Sequence, residues 1–286
     1  MFKIKLVGEK LIYEENSNFE INLTKNTYYL SIELTINEES EILFEFNTES
    51  KVNLSIDVLK DSKMYFIKQN QKTKFQTKIN LKSELELYDL NDNETISSNT
   101  IINLDSKNAK INYILKTVSK GVEKHSLSIY HNSINTTSNI ITNGLNINDG
   151  RLSFIVSTYI KNKMTGCFAN QQNRIINLTS NNCKIQPNLL IDEQDVEANH
   201  SALIGGFRDE EMFYLKRLGI NHDDALKLLI SGFLLNKVDK NLIEQLFSKY
   251  WRWIYEPWRF FNAKSKYCLF WFRSNYFKTK NIKWSN

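Results

Sequence analysis

The chain has 286 residues and a formal net charge of +5, from 37 Lys and Arg against 32 Asp and Glu. The charge is uneven: residues 250–286 hold eight basic side chains and one acidic one, which leaves 29 basic and 31 acidic, a net of −2, in residues 1–249. All five Trp also lie in residues 250–286. A nearly neutral body argues against a basic groove along a phosphate backbone, so we expect no nucleic-acid partner.

The first ten residues lack the apolar run of a secretory signal, and no stretch approaches the roughly 18 apolar residues of a membrane span. The cysteines Cys167, Cys183 and Cys268 are odd in number and widely spaced. They form neither a disulfide framework nor a paired-cysteine zinc site. We therefore expect a soluble, cytoplasmic protein without a membrane partner.

Short runs of alternating apolar and polar residues extend from Phe19 to Ile204, the first of them centred on Leu34, Phe44 and Ile56. They recur about every 10–12 residues, a spacing typical of an all-β sandwich, barrel or solenoid. The chain has 36 Asn against nine Gly and two Pro. Asn can replace Gly in tight turns, although a general compositional bias would look the same. The number of runs favours an irregular β-solenoid over one large sandwich.

The spacing of apolar residues becomes helical after Gly206. We predict one helix capped by Asp209 and ended by Gly219, a second capped by Asn221, and a third that begins at Asp239. The predicted segments are a short N-terminal segment (1–18), a β core (19–206), a helical C-terminal unit (207–250) and a basic aromatic tail (251–286). We interpret the tail as a divergent or out-of-frame terminus, with a membrane- or nucleic-acid-binding extension as the alternative.

The junction between strands and helices carries the densest group of polar residues. Asp192, Asp195 and Glu197 supply carboxylates near His200. Carboxylates suit acid–base work or a hard cation, and imidazole suits iron, zinc or copper. The plainer interpretations are an acidic turn that leaves a β layer and a histidine that ties a loop to a backbone carbonyl. The other histidines are read as surface or capping residues: His125, His131 and His222.

Several short motifs in a fixed order resemble the SufB/SufD family. They are Gln171–Asn177, Pro187–Asp192, Asp195–Ala202, Asp209–Ile220 and Ala225–Leu234. SufB-like members carry a cysteine in the segment that matches Arg174–Ser180 and a glutamate directly before the histidine. Here that segment has no cysteine and Asn199 precedes His200, so the chain is similar to SufD rather than SufB.

The resemblance implies a right-handed parallel β-helix followed by a small α-helical unit, in a non-enzymatic scaffold for iron–sulfur cluster assembly. It implies pairing with a SufB-like chain through the β-helix ends and docking of the helical unit on the ATPase SufC. His200 becomes a candidate ligand for iron or a nascent cluster at the SufB interface. Phe213, Leu229 and Phe233 become candidates for the SufC contact. No tightly bound cofactor is expected in isolation, and iron or a transient iron–sulfur cluster is expected in the complex.

Three alternatives stay open at this point. A homodimer of this chain could replace both SufB and SufD, although the missing SufB cysteine argues against it. A carbohydrate-active β-helix enzyme would need export, a basic groove and paired carboxylates. A plain binding module would show neither ATPase nor iron coupling.

Overall fold

The computed structural model describes residues 1–235, apart from residue 15, residues 70–73, residue 94, residues 148–149 and residues 180–181. The chain divides into two compact units, one of Met1–Gly206 and one that begins at Phe207. The predicted helix from Asp239 and the tail 251–286 lie outside the described residues.

The first unit is built from strands. They are β1 (Phe2–Val7), β2 (Lys10–Ile12), β3 (Phe19–Lys25), β4 (Leu30–Ile36), β5 (Ser40–Asn47), β6 (Val52–Val58), β7 (Ser62–Gln69), β8 (Lys74–Leu81), β9 (Glu84–Asn93), β10 (Ile96–Leu104), β11 (Lys110–Ser119), β12 (Val122–His131), β13 (Thr137–Asn146), β14 (Arg151–Ile160), β15 (Cys167–Asn177), β16 (Lys184–Ile191) and β17 (Val196–Gly205).

From β4 onward, successive strands join two different sheets in turn. One sheet has the order β17-β15-β13-β11-β9-β7-β5-β1-β2, and the other has the order β16-β14-β12-β10-β8-β6-β4-β3. Pairing within both sheets is parallel, except for the antiparallel pairs β1–β2 and β3–β4 at the first end. Each turn of chain therefore adds one strand to each sheet, and the predicted β-solenoid is confirmed over a sandwich.

The turns of the solenoid lengthen along the chain. Ser40 is in register with Ser62, 22 residues later, whereas Ser138 is in register with Ala169, 31 residues later. The strands keep their register while the connecting segments grow, because only the strands must stack. Unequal connections hide the repeat from the sequence, so no fixed period can be found there.

The strands β1 and β2, which lie within the predicted N-terminal segment 1–18, belong to the nine-stranded sheet of the solenoid. β1 runs parallel to β5, with Phe2 opposite Ile42, and β2 folds back on β1 at the edge of the nine-stranded sheet. Ile4 and Leu6 of β1 are buried in the same core as the later turns. The alternation Phe-Lys-Ile-Lys-Leu at the start of the sequence already has the two-residue period of a half-buried strand.

The interior of the solenoid, which we call the lumen, is filled by every second side chain of each strand. Inward residues of successive turns stack in rows. One row on the nine-stranded sheet consists of Ile42, Met64, Leu87, Tyr113, Ile140, Gln171 and His200. Phe44 and Phe46 stack with their ring centroids 4.2 Å apart, and burial of each such side chain stabilises the fold by about 1.5–3 kcal/mol.

The abundant asparagines serve two structural purposes. Asn80 Nδ2 donates to Asp57 Oδ1 at 2.7 Å, and Asn103 Nδ2 donates to Asn80 Oδ1 at 2.9 Å, which makes a ladder of amides along successive turns. Asn108 and Asn135 adopt the left-handed backbone conformation, with φ of 63° and 56°. Asn tolerates this conformation better than other non-glycine residues. The use of Asn in turns, which the sequence left open, is confirmed at these two positions.

A buried ion pair lies in the lumen of the middle turns. Lys68 Nζ donates to both carboxylate oxygens of Asp89 at 2.9 Å, and Tyr113 Oη donates to Asp89 Oδ2 at 2.8 Å. Both charged side chains are essentially inaccessible to solvent. Burial acts to raise the pKa of Asp89, but the charge and hydrogen bonds of Lys68 and the Tyr113 hydroxyl outweigh it, so the pKa lies below its usual value.

Two histidines also face the lumen, so their interpretation as surface or capping residues is wrong. His125 Nε2 lies 3.1 Å from Glu123 Oε2, and His131 lies between the hydroxyls of Thr136 and Ser138, at 2.8 and 2.9 Å. Burial lowers the pKa of His131 to about 4, because it disfavours the charged ring. The hydroxyl partners suit the neutral imidazole, which donates through one nitrogen and accepts through the other.

The second unit begins with the helix α1 (Asp209–Arg217). The predicted cap is off by one residue: Asp209 is the first helical residue, and the backbone N–H of Arg208 donates to Glu211 Oε2 at 3.1 Å. Gly219 follows the helix with a φ of 81°, which confirms its predicted role as the residue that ends the helix.

The helix α2 (His222–Leu235) has the predicted cap, since the backbone N–H of Asp224 donates to Asn221 Oδ1 at 2.9 Å. Leu215, Ala225 and Leu229 form the core between the two helices. Among the described helices, none is long and apolar enough to cross a membrane.

Candidate functional site

The strands β16 and β17 end the two sheets at the same end of the solenoid. Within the described part of the chain, no strand pairs with their outer edges. Each outer edge therefore presents backbone N–H and C=O groups that can pair with a strand from another chain. We call this end, formed by β16 and β17, the open end.

The free edge of β16 contains a proline, whereas the free edge of β17 does not. Asp192 donates its backbone N–H to the Ile160 carbonyl of the preceding turn at 2.9 Å. Because N–H groups alternate in direction along a strand, the nitrogen of Pro187, five residues earlier, points to the free edge of β16. Proline carries no N–H, and it is tolerated in a sheet where its nitrogen faces away from the ladder. The free edge of β16 thus lacks one donor in its middle.

The free edge of β17 is uninterrupted. Asn173, on β15, is in register with Ala202. The Asp195 carbonyl accepts the backbone N–H of Gly166 at 2.7 Å and therefore faces the preceding turn. Because backbone groups alternate in direction along a strand, those of Ser201 and Leu203 face β15 and those of Ala202 face the free edge. The residues that share the direction of Ala202 are Val196, Ala198, His200 and Ile204, and none of them is proline.

His200 lies at the end of a lumen row. It is in register with Gln171 of the preceding turn, and its side chain is exposed because no further turn of the described residues covers it. Glu197 is three residues away and therefore points to the opposite face of the strand. The structure thus separates the carboxylate of Glu197 from the imidazole that it accompanies in the sequence.

The acidic residues before β17 form a turn. Glu193 accepts the backbone N–H of Lys163 at 2.7 Å and those of Gln194 and Asp195 at 2.9 and 3.3 Å. These hydrogen bonds lower the pKa of Glu193, because they stabilise its charged form. In the part of the chain that the structure describes, no group of three or more His, Cys, Asp or Glu is placed to hold a metal ion.

Two amides of β15 support the open end, and the sequence reasoning assigned neither a role. Gln171 Nε2 donates to Thr158 Oγ1 at 2.7 Å, and Asn173 Nδ2 donates to the Ser201 carbonyl at 3.1 Å. Both side chains are buried. Their even spacing on one face of a strand is the signal that could have indicated a position in the lumen.

Exposed apolar side chains surround the open end. Leu203 is 55% exposed, Leu190 is 47% exposed and Ile204 is 42% exposed. Large aliphatic side chains beside unpaired strand edges are typical of an interaction surface.

The three residues of the helical unit that were predicted to contact a partner differ in their exposure to solvent. Phe213 is 63% exposed on α1, and the Arg217 guanidinium carbon lies 5.7 Å from the centre of its ring. Leu229 and Phe233 are buried: Leu229 packs in the core of the two helices, and the ring of Phe233 lies 6.5 Å from that of Phe207. Phe213 is therefore the one of the three that a partner can reach directly.

Comparison with known families gives one match that spans most of this architecture. Residues 33–233, from β4 to the end of α2, match the family described as "SUF system FeS cluster assembly, SufBD core domain". The chain belongs to the SufBD family. The predicted membership is confirmed, and the match includes both strands of the open end and both helices.

Similar curated proteins point to SufD. Over 77 residues the chain is 38% identical to the iron–sulfur cluster assembly protein SufD of Bacillus subtilis, a stretch that covers 27% of this chain and 18% of that protein. It is 42% identical over 48 residues to SufD of Escherichia coli, 17% of this chain and 11% of the relative. A SufBD family protein of Mycobacterium leprae is 31% identical over 100 residues, 34% of this chain and 26% of the relative. The matched stretches thus span about a quarter or less of these relatives.

Proposed function

We propose that this chain is a SufD-like, non-enzymatic scaffold subunit of a cytoplasmic iron–sulfur cluster assembly complex. It pairs with a SufB-like chain through the open end, docks a SufC-like ATPase through its helical unit and supplies His200 as a ligand for iron or a nascent cluster. The observation that carries the proposal is the place of His200, exposed in a lumen row where both sheets end in free edges.

Pairing through the open end is supported by the chemistry of its edges. The free edge of β17 offers alternate N–H and C=O groups, and Leu203 and Ile204 add exposed apolar surface beside them. Addition of a partner strand would bury that surface and satisfy those groups. It would also place a partner side chain opposite His200, across the end of the lumen.

Iron is the cargo of such a scaffold rather than a resident cofactor. A single exposed imidazole is one ligand, so further protein ligands would come from the partner. Imidazole can replace a thiolate on one iron of a cluster, as it does in Rieske centres. The sharing of ligands makes iron binding depend on the assembled pair.

Replacing His200 with Ala is expected to lower the iron affinity of the assembled complex by about tenfold or more, because one ligand is lost. The complex with SufB-like and SufC-like chains of the same organism is reconstituted anaerobically, and bound iron is measured by mass spectrometry of the metal. The complex should assemble at unchanged stoichiometry.

His222→Ala is the matched control, since His222 is exposed in the first turn of α2, outside the solenoid. It should leave iron loading as in the native complex. Equal iron loading of the His200→Ala and native complexes would refute the ligand role of His200.

Replacing Phe213 with Ser is expected to weaken binding of a SufC-like ATPase by about tenfold, because the variant lacks an exposed aromatic anchor. Unfolding of the chain in urea should change little, because the Phe213 side chain is mostly exposed. Isothermal titration measures the affinity. Leu178→Ser, which alters an exposed residue next to β15, is the control, and undiminished ATPase binding by the Phe213 variant would rule out α1 as the docking face.

A further inference from the structure

Gln171 is the last buried residue of the lumen row that ends at His200, and its side-chain amide is held in one orientation. The side chain is fully buried. Its Nε2 donates to Thr158 Oγ1 at 2.7 Å and to the Asn188 carbonyl at 3.3 Å. The Asn188 carbonyl can only accept a hydrogen bond, so the amide cannot be turned over without loss of that bond.

The oxygen of the same amide is in a different situation. Gln171 Oε1 is buried and accepts no hydrogen bond from the described residues. A buried acceptor without a donor lowers stability, because it has lost its hydrogen bond to water and gained none in the fold. Such a group in a native fold calls for a donor, and in the arrangement described here none of the described residues supplies one.

Among the described residues, the register of the sheet places one side-chain donor directly beside Gln171. On the same face of the nine-stranded sheet, the neighbours of Gln171 are Ile140 in the preceding turn and His200 in the following one. Ile140 is apolar, whereas a neutral imidazole carries one N–H. Paired residues of adjacent strands lie about 4.8 Å apart, within reach of two side chains of this length.

We propose that Gln171 is the positioning residue of His200: its Oε1 accepts the N–H of one imidazole nitrogen and leaves the other nitrogen directed out of the open end. No hydrogen bond joins the two side chains in the structure, where the ring is exposed and can rotate about its side-chain bonds. Closure of the bond satisfies the buried acceptor and selects one tautomer of the ring.

The consequence concerns the metal-binding nitrogen. A histidine ligand binds through its unprotonated nitrogen, and a hydrogen bond from the other nitrogen sets the tautomer and the ring orientation. Gln171 would thus prepare His200 for iron before the partner arrives. This consequence rests on the proposed function, whereas the hydrogen bond itself does not.

The test is the tautomer of His200 in the full chain without iron or partner. Nitrogen-15 chemical shifts of the imidazole are measured at a pH where the ring is neutral, and a His200→Ala variant identifies the signals among the four histidines. The native chain is expected to show one tautomer. Gln171→Leu should show the averaged shifts of an exposed imidazole, and Gln171→Met, which keeps the volume, provides a second variant.

Asn173→Leu is the matched control. Asn173 lies on the same strand and face and is likewise buried, but its register partner, Ala202, has no side-chain donor. Loss of the Asn173 amide should lower the stability of the chain and leave the His200 chemical shifts unchanged. Averaged shifts for His200 in the native chain would overturn the proposal, and so would identical shifts in the native chain and the Gln171 variants.

Iron loading of the complex separates this inference from the proposed function. With both correct, Gln171→Leu lowers iron affinity by about 10–100-fold, as loss of a hydrogen bond behind a metal ligand does. His200 could show a single tautomer that depends on Gln171 while iron loading is unchanged in both the His200→Ala and the Gln171→Leu complexes. That result would support the hydrogen bond and refute the ligand role.

Discussion

Replacing Lys68 with Met is expected to lower the free energy of unfolding by about 3–5 kcal/mol, because it leaves Asp89 buried without its counter-charge. Lys68 Nζ supplies hydrogen bonds to both oxygens of this carboxylate, and solvent cannot replace them inside the lumen. Urea unfolding followed by circular dichroism measures the effect.

The double variant Lys68→Met with Asp89→Leu is expected to recover much of that loss. Removal of both charges avoids an unpaired buried group, and apolar replacements of buried ion pairs are often neutral or stabilising. Tyr113 would still lack its acceptor, so recovery should stop short of the native value by about 1–3 kcal/mol. A double variant as unstable as the single one would show that the ion pair is not what Lys68 contributes.

Lys110→Met tests the specificity of that effect. Lys110 pairs with Glu84 at 2.7 Å, but both side chains are exposed to solvent. Exposed pairs contribute about 0–1 kcal/mol, so this variant should unfold close to the native midpoint.

The lowered pKa of Asp89 adds a pH dependence: its stabilisation is fully present above the usual value of about 3.9 and is lost as the pH falls through the lower folded-state pKa.

Replacing Ala202 with Pro is expected to weaken pairing with a SufB-like chain by tenfold or more while the fold of this chain persists. The backbone N–H of Ala202 points to the free edge, so proline removes a donor that only a partner strand would use. Analytical ultracentrifugation of the mixed chains measures the affinity, and urea unfolding of the chain alone should change by about 1 kcal/mol or less.

Leu203→Pro is the matched variant one residue along. Its backbone N–H faces β15, so proline there removes a hydrogen bond within the chain and should destabilise the fold by about 1–3 kcal/mol. Unimpaired pairing of the Ala202 variant would exclude the β17 edge as the interface. Equal loss of stability in both variants would contradict the alternation of edge and ladder positions in β17.

Local signals in the sequence predicted much of the secondary structure. Asn221 and Gly219 mark a helix start and a helix end through rules that involve only a few neighbouring residues. Asp209 shows the limit of these rules, because an acidic residue suits both the cap and the first turn, and here Arg208 precedes the helix.

The polar lumen could not be predicted in the same way. Lys68, Asp89 and His131 look like surface residues in the sequence, since charged and polar side chains are rarely buried. Their burial follows from inward positions on strands that run through the core. Lys68 is tolerated there because Asp89, 21 residues further along the chain, supplies its partner from the next turn of the solenoid. His131 is tolerated because Thr136 and Ser138, which follow the end of its strand, supply hydroxyl partners.

In the candidate site, too, the sequence indicates some residues and only the fold indicates others. The resemblance makes His200 a candidate ligand, whereas Gln171, which begins another of the matching motifs, has no role that the sequence indicates. The two are 29 residues apart and become neighbours only through the register of β15 and β17. Phe213 and Leu229 both have the spacing of a helical apolar face, and only packing of the two helices decides that one is exposed and the other is buried.

The sequence alone determined the alternation of strands, the change to helices after Gly206 and the family, because these depend on residue type at short range. The tertiary structure alone decided which strands are neighbours, that turns of unequal length stack in register, and that His200 ends a lumen row at the open end. The physical reason is that parallel strands pair across whole turns of chain, so their partners are chosen by packing and backbone hydrogen bonds rather than by adjacent residues.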